Sequence, residues 1–169
     1  MGPVLDGLRT RTPVIITGGI GAGKTRTGEE IAAELGRRGI EVGGVLSLRV
    51  MEGERTVGYV VRDLATGREH PFARLAPPGI PIGRFFIAEP GIEFARAAIE
   101  HGARSSQVVF IDEVGRLELA GGGLASAVRT ALLGPAVPIL LVRTDFLTEV
   151  MRTFSLSRTI VHEVKTEEG

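Results

Sequence analysis

The chain has 169 residues, 43% of them hydrophobic and 24% charged, with 20 acidic and 20 basic residues and no cysteine. This composition favours one soluble globular domain over residues 1–169 and argues against a broad nucleic-acid surface. Disulfides and thiolate metal sites are excluded. Residues 1–11 lack the apolar stretch of a signal peptide, and the longest aliphatic run, residues 137–142, is too short to span a bilayer. We expect a cytoplasmic protein with no membrane or nucleic-acid partner, and the sequence does not indicate a protein partner.

The first part of the chain predicts a strand, a glycine-rich loop and a helix in succession. Residues 1–12 form a short polar lead-in with no predicted element, before a strand at about 13–17. The run GGIGAGKT at residues 18–25 fits G-x-x-x-x-G-K-[ST], the phosphate-binding P-loop. A helix follows from about residue 24 to residue 38. Lys24 is one of only two lysines in the chain, whose other basic residues are arginines. Its presence at the lysine position of the motif therefore strengthens the match.

The P-loop predicts a site for the phosphates of a nucleoside triphosphate. Glycines allow successive backbone N–H groups to turn inward, where the positive end of the following helix also attracts phosphate oxygens. Lys24 is expected to contact the β- and γ-phosphates, the Thr25 hydroxyl to hold Mg²⁺, and the backbone of Arg26 to contact the α-phosphate. The predicted nucleotide-binding residues are Gly18, Gly19, Ile20, Gly21, Ala22, Gly23, Lys24, Thr25 and Arg26.

The rest of the chain predicts an α/β domain interrupted by a meander. Short strands joined by glycine turns over residues 49–88 indicate an antiparallel meander inserted at one sheet edge. Alternating strands and helices predict a mainly parallel central sheet with helices on both faces. Strands are expected at about 42–50, 56–62, 68–73, 82–88, 108–111, 139–142 and 159–164, with a stiff loop at 77–81. Helices are expected from after Glu89-Pro90 to about 102, at 124–133 and at 145–154.

Two carboxylates follow the most apolar of these strands. A buried strand that delivers Asp112 at its tip is typical of the Walker B arrangement, in which the aspartate anchors Mg²⁺. Glu113 comes next and is positioned to activate a water molecule for attack on the γ-phosphate. The alternatives are a helix N-cap or turn aspartate for Asp112 and a solvated glutamate at the start of a loop for Glu113.

Several further residues are weaker candidates. Thr144, at the tip of the next apolar strand, is expected either to contact the γ-phosphate or its attacking water, or to cap a helix. The histidines are scattered without ligand spacing. The arginine candidates for transition-state charge are Arg84, Arg116, Arg143 and Arg158.

The segment DEVGRLEL at residues 112–119 resembles the D-E-[IV]-G-[KR]-[ML]-E-L signature of the small P-loop nucleoside-triphosphatases, the family typified by the cancer-related nucleoside-triphosphatase. Residues 57–61 with 73–74 resemble that family's central meander, and residues 82–86 its V-G-[KR]-Y-like segment. The resemblance covers about residues 14–166. It implies a RecA-like P-loop fold and slow, Mg²⁺-dependent hydrolysis of ATP, GTP and other nucleoside triphosphates to diphosphate and phosphate.

The resemblance also implies roles by position. Lys24 and Thr25 bind phosphate and Mg²⁺, Asp112 lies at the metal and Glu113 activates water, with Gly115 and Arg116 in the loop beside the γ-phosphate. The chain departs from the family at Arg26, where Ser or Thr is frequent, and at residues 164–168, where the family continues with an Asn-Arg pair. Two other functions stay open: a P-loop kinase for a small molecule or nucleoside, and a nucleotide-gated partner-binding protein.

Overall fold

The computed structural model describes residues 1–166. The last three residues of the predicted 1–169 domain lie outside the described residues, as do the last two of the segment 164–168 that departs from the family pattern. The helices are α1 (Gly2–Thr10), α2 (Lys24–Arg37), α3 (Glu89–Ser105), α4 (Arg116–Leu119), α5 (Ala125–Leu133) and α6 (Leu147–Thr153). The strands are β1 (Val14–Gly18), β2 (Val42–Glu52), β3 (Arg55–Asp63), β4 (Glu69–Arg74), β5 (Ile80–Ile82), β6 (Phe85–Ile87), β7 (Val108–Asp112), β8 (Val137–Arg143) and β9 (Ile160–Glu163). Within this part of the chain no helix has the length and apolar character needed to cross a membrane.

The strands form one mixed sheet in the order β5-β6-β4-β3-β2-β7-β8-β1-β9. Adjacent strands in the part β2-β7-β8-β1-β9 are parallel. Adjacent strands in the part β5-β6-β4-β3-β2 are antiparallel. The predicted α/β fold with a mainly parallel centre is therefore confirmed. The antiparallel strands lie together at one edge, where residues 49–88 were expected to form a meander.

Alternate residues of the central strands face two separate apolar clusters. Ile15 and Ile111 belong to a cluster that includes residues of α3, α5 and α6. Ile16 and Phe110 belong to a second cluster, with residues of α1 and α2. Both faces of β1 and β7 are thus covered, which explains why their sequences are apolar without alternation.

The lead-in predicted at residues 1–12 is wrong, because α1 occupies most of it. Val4 is buried, and Leu5 and Leu8 pack beside it against the second cluster. A Cβ on Gly7 would lie only 2.5 Å from Val14 Cγ2, so α1 lies close against β1. Leu8 follows Val4 by four residues and Leu5 by three, a helical spacing that the prediction overlooked.

Three other elements differ from the prediction. The stiff loop expected at 77–81 runs into β5, which pairs with β6. Proline is tolerated at position 81 because β5 is an edge strand. The short helix α4 was not expected, and the helix predicted from residue 145 starts with a 3₁₀ turn over Thr144–Phe146.

Candidate nucleotide-binding site

The carboxyl ends of the parallel strands open into a cleft of about 770 Å³. Open α/β sheets place their ligands at this end of the strands. The cleft is lined by Lys24 and Thr25 after β1, by Ser47 on β2, and by Asp112 and Glu113 at the end of β7. The structure thus brings together the P-loop and the two acidic residues predicted to act with it.

The P-loop takes its shape from glycines with positive φ. Gly21 has φ of 73° and Gly23 of 90°, conformations that an L side chain rarely adopts. Gly23 is the N-cap of α2, so the free N–H groups at the start of this helix lie beside the loop. Lys24 is largely buried, and its Nζ donates to the carbonyl oxygens of Gly18 at 3.2 Å and Gly19 at 3.1 Å.

Asp112, at the end of β7, is hydrogen-bonded to one residue of α2 and one residue of β2. Its Oδ2 accepts hydrogen bonds from the Thr25 hydroxyl at 2.7 Å and from the backbone N–H of Ser47 at 2.9 Å. Sequence reasoning missed Ser47, because its backbone N–H makes this bond and side-chain identity carries no signal for it. Asp112 is 4% exposed, and burial raises its pKa to about 6 although the Ser47 and Thr25 hydrogen bonds and the Lys24 charge act in the opposite direction.

Glu113 lines the cleft and is exposed to solvent. Surrounding protein removes part of its hydration, and this effect, followed by repulsion from Asp112, raises the pKa of Glu113 to about 7. Partial desolvation and the charge of Asp112 thus both favour the protonated form of Glu113.

Glu118 holds the loop that follows Glu113, a role that sequence reasoning also missed. Its Oε1 accepts the backbone N–H of Gly115 and its Oε2 that of Leu124, each at 2.9 Å. Glu118 is 6% exposed; burial raises its pKa, and these N–H donors act against that rise. The spacing of Glu118 from Gly115 is that of a capping box, which could have indicated the first bond but not the second.

The accessory candidates divide into two groups. Arg116 and Arg143 line the cleft and flank the Phe146 ring, with Cζ atoms 5.9 and 5.1 Å from its centroid. Arg143 also donates to Asp145 at 3.0 Å. Arg26 lines the cleft as well, and its side chain pairs with Glu30.

Three accessory candidates do not line the cleft, and neither do Gly18, Gly19 and Ala22 of the P-loop. Arg84 sits in the turn between β5 and β6, where it donates to the Thr56 carbonyl and stacks on Phe85. Thr144 is exposed inside the 3₁₀ turn, whose N-cap is Arg143, so Thr144 does not occupy the cap position. Arg158 is exposed in the segment before β9.

The oxygen atoms of Thr25 and Asp112 suit a hard cation such as Mg²⁺, and their 2.7 Å separation places them side by side. Within residues 1–166 no three His, Cys, Asp or Glu side chains are grouped to hold a metal. A cation between Thr25 and Asp112 would take its other ligands from phosphate and water, as Mg²⁺ commonly does.

The fold and this cleft define an α/β nucleotide-binding protein of the P-loop class. A family model described as NTPase matches residues 13–168. The chain is 32% identical to the nucleoside-triphosphatase THEP1 of Thermococcus kodakarensis over 139 residues, which cover 79% of this chain and 77% of that protein. It is 38% identical to the protein of the same name from Thermofilum pendens over 120 residues, which cover 70% and 66%. The chain therefore belongs to the nucleoside-triphosphatase family, an enzyme family, as its signature segment predicted.

Two solved structures share the fold. The solution structure of a human cancer-related nucleoside triphosphatase matches with a TM-score of 0.71 at 23% identity, covering 92% of this chain and 90% of that one. The crystal structure of THEP1 from the hyperthermophile Aquifex aeolicus matches with a TM-score of 0.64 at 23% identity, covering 92% and 91%. The match to the sheet and its helices therefore includes the antiparallel edge as well as the parallel centre.

Proposed function

We propose that the protein hydrolyses nucleoside 5′-triphosphates, ATP and GTP among them, to diphosphate and phosphate in a Mg²⁺-dependent reaction. The observation that carries the proposal is the position of Glu113, in the same cleft as the P-loop and directly after Asp112. We also assign the parallel centre to the RecA-like class, supported by the position of β8 between β1 and β7.

The P-loop binds the phosphates. Its backbone N–H groups and the start of α2 attract the phosphate oxygens, and Lys24 exchanges its bonds to the Gly18 and Gly19 carbonyls for bonds to the β- and γ-phosphates. Thr25 and Asp112 hold Mg²⁺, which neutralises charge on the phosphate oxygens when it is bound.

Hydrolysis needs a group that accepts a proton from the attacking water. The Glu113 carboxylate takes this proton as the water oxygen bonds to the γ-phosphorus, and the bond from that phosphorus to the bridging oxygen breaks. Arg116 and Arg143 supply positive charge beside the reacting phosphate. In support of this role, Nε of Arg143 is buried without a hydrogen-bond partner among the described residues.

Phosphate and diphosphate release from ATP, GTP, CTP and UTP tests this proposal. With Mg²⁺ and no other acceptor, we expect equal amounts of both products from several of the four nucleotides, and none when EDTA removes the metal. Tight nucleotide binding without release under the same conditions would overturn hydrolysis and favour the partner-gated alternative. The cytoplasmic location and the lack of a nucleic-acid partner stay predictions from composition.

A further inference from the structure

The cleft extends beyond its phosphate end into an apolar compartment. We use this name for the space lined by Leu48, Tyr59, Phe72, Ile82, Phe85 and Ile87. These side chains are half-buried, and the rings of Tyr59 and Phe85 meet edge to face at 5.3 Å. Phosphates and Mg²⁺ gain nothing from such a wall, so a ligand that occupies the compartment must have a different chemistry.

The order of strands places this compartment on the far side of Asp112 from the P-loop. From β1, which carries the P-loop, the sheet runs through β8 to β7 and then through β2 to β3 and β4. Neighbouring strands lie about 4.8 Å apart, so β3 is roughly 10 Å beyond β7. Tyr59 and Phe72 stand on these outer strands, whereas the P-loop lies on the opposite side of Asp112.

The geometry of phosphoryl transfer decides which reactant faces the compartment. The attacking and leaving oxygens lie roughly in line on opposite sides of the γ-phosphorus. Glu113, which serves the attacking group, lines the same cleft as the apolar compartment, and Leu117 and Leu124 of the segment that follows it also line this cleft. Because β3 and β4 lie beyond β7 from the P-loop strand, we infer that the compartment is on the attacking side and the nucleoside of the leaving diphosphate on the other.

We propose that the apolar compartment binds a compact apolar alcohol, which accepts the γ-phosphoryl group in competition with water. This inference rests on the proposed function, because it uses the same γ-phosphate and the same carboxylate. The hydroxyl oxygen bonds to the γ-phosphorus, and its proton passes to Glu113. The bond to the bridging oxygen breaks, and the nucleoside diphosphate leaves with that electron pair.

A hydroxyl group fits the compartment better than an amine. An alkylamine is protonated at neutral pH, so it is not nucleophilic and would bring its charge against an apolar wall. A polyol would lose hydration at the same wall, where Tyr59 is the only one of the six lining side chains that carries a hydrogen-bonding group. A ring or branched chain with a single hydroxyl group directed at Glu113 is both a neutral nucleophile and an apolar ligand for the wall.

The test compares benzyl alcohol with glycerol as acceptors for wild-type protein with ATP and Mg²⁺. Phosphorus NMR separates ADP, inorganic phosphate, benzyl phosphate and glycerol phosphate. At equal alcohol concentration we expect about tenfold more benzyl phosphate than glycerol phosphate, since only benzyl alcohol buries apolar surface. This comparison needs no substitution and therefore does not depend on the folding of a variant.

The variant Ala73→Leu fills the compartment from β4 without removing an existing contact. Ala73 lines the cleft, whereas Val60 on β3 does not, so Val60→Leu is the matched control. We expect Ala73→Leu to lose about tenfold of benzyl phosphate formation while ADP formation by hydrolysis stays within about twofold. Val60→Leu should leave both unchanged.

The products separate this inference from the proposed hydrolysis. ADP and phosphate without benzyl phosphate, or transfer that Ala73→Leu leaves intact, would overturn the acceptor site and retain the hydrolase. ADP formed only when benzyl alcohol is present, together with benzyl phosphate, would support the acceptor site and overturn hydrolysis. No ADP under any condition would overturn both.

Discussion

The Thr25 hydroxyl donates a 2.7 Å hydrogen bond to the Asp112 carboxylate, joining the first turn of α2 to the tip of β7. Between these residues in the sheet lies β8, which separates β1 from β7. The bond therefore crosses the opening between two strands that are not neighbours, and it sets the distance between the P-loop and the acidic side of the cleft.

Removal of the Thr25 hydroxyl should weaken the response to Mg²⁺. Thr25→Val keeps the shape of the side chain but offers the metal no oxygen, so we expect the Mg²⁺ concentration for half-maximal phosphate release to rise about 10–100-fold. Thr25→Ser keeps the oxygen and should stay close to wild type. A Mg²⁺ titration of phosphate release measures the effect, and equal curves for Thr25→Val and wild type would remove Thr25 from the metal site.

Neutralising Asp112 should stabilise the metal-free protein at high pH. Burial raises the pKa of Asp112 from 3.8 to about 6, so the native state holds this proton more tightly than the unfolded state. The stability that this group contributes is fully present below about pH 4 and is lost as pH rises through about 6. Asp112→Asn should therefore be more stable than wild type by about 2 kcal/mol at pH 8, with a smaller difference at pH 4.

Urea unfolding in EDTA at both pH values measures this difference. The matched control is Asp6→Asn, since Asp6 is exposed on α1. A stability gain for Asp112→Asn that is the same at pH 4 and pH 8 would show that the carboxylate charge is not its cause.

Truncation of Glu118 should loosen the loop that carries Glu113. Glu118→Ala leaves the buried N–H groups of Gly115 and Leu124 without their acceptor, which should cost about 2 kcal/mol of stability. Because Glu118 lies outside the P-loop, we expect phosphate release to fall with little change in nucleotide affinity. Glu118→Gln retains one acceptor oxygen and should recover part of both losses.

A methyl group at Gly123 should disturb the same loop, while one at the preceding glycine should not. Gly123 has φ of 56°, and a Cβ there would collide with Oε2 of Glu118. At Gly122 the nearest atom to such a Cβ is the Leu117 carbonyl oxygen, 3.6 Å away. Thermal unfolding should show a lower midpoint for Gly123→Ala than for Gly122→Ala; equal midpoints would contradict the packing described for this loop.

The central strands and the P-loop were predictable because they depend on local patterns. Continuous apolar runs predict β7 and β8, and glycine spacing with Lys24 and Thr25 predicts the phosphate loop. The hydrogen bond from Ser47 to Asp112 was not predictable, because a backbone N–H has no side-chain signature. The hydrogen bond from Leu124 to Glu118 was not predictable either, because the two groups meet only after folding. Arg84 lies in the turn between β5 and β6, where its side chain bonds to the Thr56 carbonyl; this contact forms only after folding and has no local sequence pattern.

The role of Glu113 as the proton acceptor is the central claim, and Glu113→Gln tests it most directly. ATP affinity and phosphate release should be measured together on this variant, with Glu149→Gln, which changes an exposed residue of α6, as the control. We expect ATP binding within about threefold of wild type, and phosphate release lowered by about 100-fold or more because the general base is lost. Phosphate release at the wild-type rate by Glu113→Gln would contradict the account.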